Sequence, residues 1–143
     1  MQKIAAQGDG VVFGVTSRHG RTYISMNYHR HSFKKGKTLW HQSVAVPDEA
    51  EFFDTSDDKM WECKQGHYWW IDQGGKRVIG AGGEFIAFFP HCPNHPGPWH
   101  GYPVSPRDDE HYEVPEEIVL KWESGTNPWI DDLIAGRIRK GKI

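Results

Sequence analysis

Each of the two cysteines in this chain stands within four residues of a histidine. One pair is Cys63 and His67, in Trp61-Glu62-Cys63-Lys64-Gln65-Gly66-His67. The other is Cys92 and His95, in His91-Cys92-Pro93-Asn94-His95-Pro96-Gly97-Pro98-Trp99-His100. Thiolate and imidazole are ligands that zinc prefers, and four of them close a tetrahedral structural site. Both spacings let a pair chelate one ion, with Gly66 and the prolines supplying the turns. The expectation is a zinc ion held by Cys63, His67, Cys92 and His95, with His91 or His100 as substitute ligands. The competing reading is two buried cysteines with histidines at the surface, since a free cysteine behaves as a small hydrophobe.

A second group of chemically able residues lies in the segment 22–31, which reads as a strand. Alternate residues of a strand face the same way. Ile24, Met26 and Tyr28 would form a core face, and Tyr23, Ser25, Asn27, His29 and His31 a polar one. Lys34, Lys35 and Lys37 follow and can hold a phosphate. Two imidazoles that shuttle protons, beside a cation that stabilises a phosphorane, are the ingredients of RNA cleavage. In that reading His29, His31 and His100 act as acid and base, and Lys35 meets the phosphate. The competing reading is a solvated strand face whose histidines titrate near 6.5.

Positioning these groups falls to a mainly antiparallel sheet. Strand patterns run over 11–17, 22–31, 39–46, 67–72, 77–80 and 84–89, separated by glycine-bearing turns. A short helix opens at Asp48 and runs through Phe53, and the acidic stretch 54–59 is expected at the surface. Prolines at 90, 93, 96, 98, 103, 106 and 115 then keep sheet and helix short, because proline removes a backbone donor. Trp99, Tyr102, Val104, Tyr112 and Val114 indicate that this loop is ordered. Ordering costs about 1–2 kcal/mol per residue. Zinc affinity of about 10–16 kcal/mol in small zinc domains would help offset it. Helical spacing follows over Glu116 to Glu123, and again after Asn127-Pro128 through Ile130, Leu133, Ile134 and Ile138.

The expected fold is therefore α+β: one domain over 1–143, with a sheet of about six strands in 11–89, a proline- and histidine-rich loop in 90–115 and two helices in 116–140. Hydrophobic residues at 37% and charged residues at 25% fit a globular chain. The seven tryptophans are expected mainly in the core. A net charge of −2 gives no strong field towards nucleic acid or membrane. No apolar run approaches the ~18 residues of a membrane span. The first ten residues carry no secretory apolar segment, so reduced thiols and a cytoplasmic setting are expected. The P-loop, H-E-x-x-H and G-x-S-x-G patterns are absent.

The first functional expectation is a small binding or accessory domain whose loop is fixed by zinc. It would act through Trp99, His100 and Tyr102 together with the His29 face. The alternatives are a histidine-dependent ribonuclease of the toxin type, and a protein-interaction or inhibitor module without metal. The partner is a protein or RNA.

Overall fold

The computed structural model describes residues 1–30 and 37–143. Within them the class is α+β, but the strands divide into two three-stranded antiparallel sheets. The first sheet has the order β1 (Gln2–Gln7), β2 (Gly10–Gly14) and β3 (Tyr23–Met26). The second has β4 (Tyr68–Ile71), β5 (Ile86–Phe89) and β6 (Tyr102–Val104). Helix α1 spans Val46–Asp58, α2 Glu116–Glu123 and α3 Asp132–Arg139.

The single six-stranded sheet is corrected at several places. Residues 39–46 alternate like a strand, yet only Trp40 makes a bridge, to Gly80. Helix α1 begins at Val46 instead, with Pro47 in its first turn and the Asp48 carboxylate accepting the Ala45 N–H at 2.8 Å. Arg77 to Gly80 forms no strand and closes a turn through Ile79 N–H to the Glu84 carbonyl at 2.8 Å. β1 carries no hydrophobic alternation, because all six of its residues are exposed and only its backbone is paired, to β2.

Helix α1 carries the joint between the sheets. Its buried residues Glu49, Ala50, Phe52, Phe53, Ser56 and Asp57 recur at helical spacing. The expected exposed acidic stretch is therefore half wrong: Asp57 lies in the core face of the helix, fully buried. Segment 22–31 differs for a similar reason. Tyr23, Ile24 and Ser25 are all buried, so both faces of β3 are covered and no polar face reaches water there.

The proline-rich segment forms the seam between the sheets. Trp99 bridges Tyr23 in parallel, donating to the Thr22 carbonyl at 2.9 Å and accepting from Ile24 N–H at 2.7 Å. Three residues later the chain enters β6 of the second sheet. Trp99 itself is 1% exposed and packs against Phe53 and Tyr68, at ring centroid distances of 5.5 and 5.2 Å. Six of the seven tryptophans are buried, as expected, and Trp129 is half-buried.

Gly101 makes the crossing possible. A Cβ there would sit 2.2 Å from the Phe89 ring and 2.9 Å from the Phe88 carbonyl. Gly101→Ala is expected to destabilise the fold by about 1–3 kcal/mol, the usual cost of overpacking. An unchanged denaturant midpoint would contradict this packing.

Candidate functional site

Chain order brings His29 and His100 to one place. His29 ends the 3-10 turn Asn27–His29 that follows β3, and His100 directly follows the residue that bridges to β3. His29 is 2% exposed. Its Nδ1 lies 2.7 Å from the Thr38 carbonyl, and its own carbonyl accepts the Trp40 N–H at 2.9 Å. A carbonyl only accepts, so Nδ1 carries the proton and Nε2 keeps the lone pair. Tyr102 stacks on the imidazole at 4.8 Å between centroids with 20° between planes, and the Tyr28 ring stands 4.7 Å from it, tilted by 57°.

These three rings line a cavity of about 370 Å³, together with Lys37, His100, Tyr112 and the carboxylates Asp108 and Asp109. Lys37 Nζ stands 5.2 Å above the Tyr28 ring. The Tyr102 and Tyr112 hydroxyls meet at 3.2 Å. Burial, joined by the charges of His100 and Lys37, pushes the His29 imidazole down to about 4, against the weaker opposing pull of the Thr38 carbonyl. Burial and Lys37 likewise lower His100. Burial and the Tyr112 hydroxyl raise the Tyr102 phenol. At neutral pH the lowered values leave both imidazoles neutral, and they share the cleft with three tyrosine rings, the Lys37 side chain and the carboxylates of Asp108 and Asp109.

The size falls in the range of small-molecule sites. Stacked rings on one wall and a cation on another suit a planar ring that carries an anionic group. Of the residues read as catalytic, His29 and His100 come together. His31 and Lys35 lie outside the described residues. Tyr28, taken as a core residue, and Tyr112, taken only as a sign of order, both prove to line the cleft.

Of the four expected zinc ligands, Cys63 and His67 lie in the turn before β4, and Cys92 and His95 in the loop after β5. Cys63 is 5% exposed in the hydrophobic core. Its N–H meets the His67 carbonyl at 2.9 Å, and its carbonyl takes the Gly66 N–H at 2.9 Å, so the pair closes a tight turn. His67 Nδ1 accepts the backbone N–H of His91 at 2.9 Å. That leaves the proton of the neutral ring on Nε2, so a metal at His67 requires this arrangement to open. Burial and the nearby His91 lower the His67 imidazole. Gly66 has φ of +82°, and a Cβ there would stand 2.8 Å from His91 Nδ1, so His91 packs on bare backbone. The Cys92 thiol faces the carbonyls of Asn94 and Pro98 at 3.6 and 3.7 Å. His95 is exposed. Among the described residues, no three His, Cys, Asp or Glu side chains gather as a metal-holding group.

Two buried carboxylates on α1, unforeseen from their acidic surroundings, complete the electrostatics. Glu49 accepts from the Tyr23 hydroxyl at 2.8 Å, the Ser25 hydroxyl at 2.7 Å and Arg30 Nη1 at 3.1 Å. Burial outweighs these bonds and pushes its carboxyl up to about 7. One helix end away, Asp57 accepts from the Tyr68 hydroxyl at 2.7 Å and meets His19 Nδ1 at 2.5 Å. Burial alone would raise Asp57, but hydrogen bonds from Thr16, His19 and Tyr68 hold it below the ordinary carboxylate value. Arg21 lies beside it, Nε to Oδ1 at 3.7 Å, with its guanidinium 5.0 Å over the Trp99 ring. These contacts fasten the 16–21 turn and the seam to the end of α1.

Among the described residues no helix is long and apolar enough to cross a membrane. No protein-family model, no curated protein and no solved structure matches the chain.

Proposed function

We propose that the chain is a small binding domain whose working surface is the cleft of His29, His100, Tyr102 and Lys37. Its ligand is a compact anion bearing a planar ring, the chemistry of a nucleotide, free or within single-stranded RNA. The supporting observation is the convergence, on one cavity, of stacked His29 and Tyr102 rings with the Lys37 cation. The rings supply sequence-tolerant stacking, worth about 1–3 kcal/mol per base in single-strand binders. The ammonium supplies the phosphate contact.

Calorimetry with adenosine 5′-monophosphate, adenosine and inorganic phosphate tests this reading. The monophosphate is expected to bind more tightly than either fragment. His100→Ala and Lys37→Ala are each expected to weaken it about tenfold, equivalent to ~1.4 kcal/mol. No heat from any of the three probes, or equal binding by both variants, would remove the cleft from function.

Phosphodiester cleavage is the second reading, favoured by the placement of His29 and His100 on one cavity. General acid–base work needs one imidazole protonated. Both are held low, so the rate on a dinucleotide such as UpA is expected to peak below pH 6 and to fall as pH rises to 7. A maximum at or above neutral would exclude this pair.

Zinc at Cys63, His67, Cys92 and His95 remains a separate proposal for anchoring the loop. Elemental analysis of protein purified without a His-tag decides it. One equivalent of zinc adds the ion as a second anchor; substoichiometric zinc, iron and nickel remove it.

A further inference from the structure

We propose that an apolar notch beside α3 is a docking site for an acidic segment of a partner protein, one that inserts a single large apolar side chain. The notch has a volume of about 220 Å³, with walls from Phe85, Leu133, Ile134 and Ile143. Its floor exists because Gly75, with φ of +72°, lets the turn after β4 lie directly on α3; a Cβ there would stand 2.6 Å from Ile134 Cγ2. Leu133, at the rim, is 72% exposed, well beyond any other large hydrophobic residue described. An isolated exposed leucine is unremarkable, but one bordering an apolar notch forms a continuous surface for contact.

Charge chooses the occupant. The two charged side chains lining the notch, Lys76 and Arg137, are both cationic. Among the described residues Lys76 meets no carboxylate, and Arg137 bonds only the Lys142 carbonyl, at 3.3 Å. Carboxylates flanking an apolar anchor would therefore find two cations that no carboxylate pairs among the described residues, giving both register and a faster encounter. The volume holds one side chain, the form of a peptide hot spot. A flat polyanion fits less well, because it offers no apolar side chain to a notch walled by Phe85, Leu133, Ile134 and Ile143. The site is independent of the histidine cleft.

The test is selection of a displayed random peptide library on the full chain. Enriched peptides are expected to place Leu, Phe or Trp within a few residues of two or more Asp or Glu. Their affinity is expected to fall at least tenfold in the Lys76→Glu/Arg137→Glu double variant and in Leu133→Ser, and to weaken with salt. All these positions are exposed, and a melting curve confirms that each variant folds. Absence of an enriched family, or equal binding to the variants, overturns the proposal. So do Arg137-dependent sedimentation with phosphatidylserine vesicles, which would assign the surface to membrane, and self-association abolished by Leu133→Ser, which would assign it to a second copy.

Discussion

Trp99→Ala is expected to lower the unfolding free energy by about 3–5 kcal/mol, the range for deleting a buried large aromatic side chain. The effect should exceed that of truncating exposed residues in the same loop, such as His95. The reason lies in where the indole stands. It fills the space between Phe53 of α1 and Tyr68 of β4, while its backbone is paired to Thr22 and Ile24 of the other sheet. Removing it opens a cavity where the seam touches β3, α1 and β4 together. Loop residues 90–101 should then gain fast amide exchange before the rest of the chain does. Trp99→Phe should be far milder. It keeps an aromatic ring and removes an Nε1–H that has no acceptor among the described residues. Denaturant midpoints and hydrogen exchange check both. A Trp99→Ala variant within ~1 kcal/mol of the parent would mean that something other than this side chain holds the seam.

The second large effect concerns pH. Glu49 has a folded-state value near 7, raised from 4.5. Between these values the folded chain binds the proton and the unfolded chain has lost it. Its contribution is therefore complete below pH 4.5 and is lost as pH rises through 7. His29 behaves oppositely, with a folded value near 4 against 6.5. Its contribution is complete above pH 6.5 and is lost as pH falls through 4. Over the shared window, pH 4.5–6.5, each contributes a slope of about 1.4 kcal/mol per pH unit with opposite sign, so the two cancel in the parent.

Glu49→Gln keeps one acceptor oxygen for the Tyr23 or the Ser25 hydroxyl, the other of which can turn to accept from the amide N–H, and it removes the titration. Its stability should rise with pH across the window by about 1.4 kcal/mol per unit more steeply than that of the parent. His29→Gln should tilt the curve the other way by a similar amount. The lowered His67 and His100 add to the rising side, so the parent curve is flat or rises slightly. In more acid solution, protonation of Asp57, whose folded value is depressed, removes stability in every variant. Urea midpoints taken at intervals from pH 4.5 to 7 read these slopes. Parallel curves for parent and Glu49→Gln would show that the buried carboxyl does not change its proton affinity on folding.

How far such groups can be seen in the chain depends on what surrounds them. Helix α2 and much of α3 are legible because Ile118, Val119 and Trp122, then Ile134 and Ile138, keep the period of 3.6 against a polar background. The Tyr68–Ile71 and Ile86–Phe89 strands are legible as continuous apolar runs. β1 is not, because a strand exposed on both faces has no pattern to read. Residues 54–58 show the opposite failure: a run of acidic residues looks solvated, and nothing local reveals that Tyr68, His19 and Thr16 converge on Asp57. The cleft was half visible. His29, His100, Tyr102 and the Lys37 cation stood out by residue type. Alternation assigned Tyr28 to the core, since the turn that ends β3 at Met26 breaks the strand register. The cysteine pairs were conspicuous in sequence, yet spacing along a chain says little about which distant segments meet.

The central claim is that His29 and His100 form the wall of a ligand site. Imidazole nitrogen NMR during titration with adenosine 5′-monophosphate tests it most directly. The structure predicts that His29 shows the neutral Nδ1–H form down to about pH 5, given its value near 4. It also predicts that the His29 and His100 signals move together on ligand addition, while those of His67 and His91 stay in place. Signals of His29 and His100 that remain still at saturation, or movement confined to His67 and His91, would contradict it.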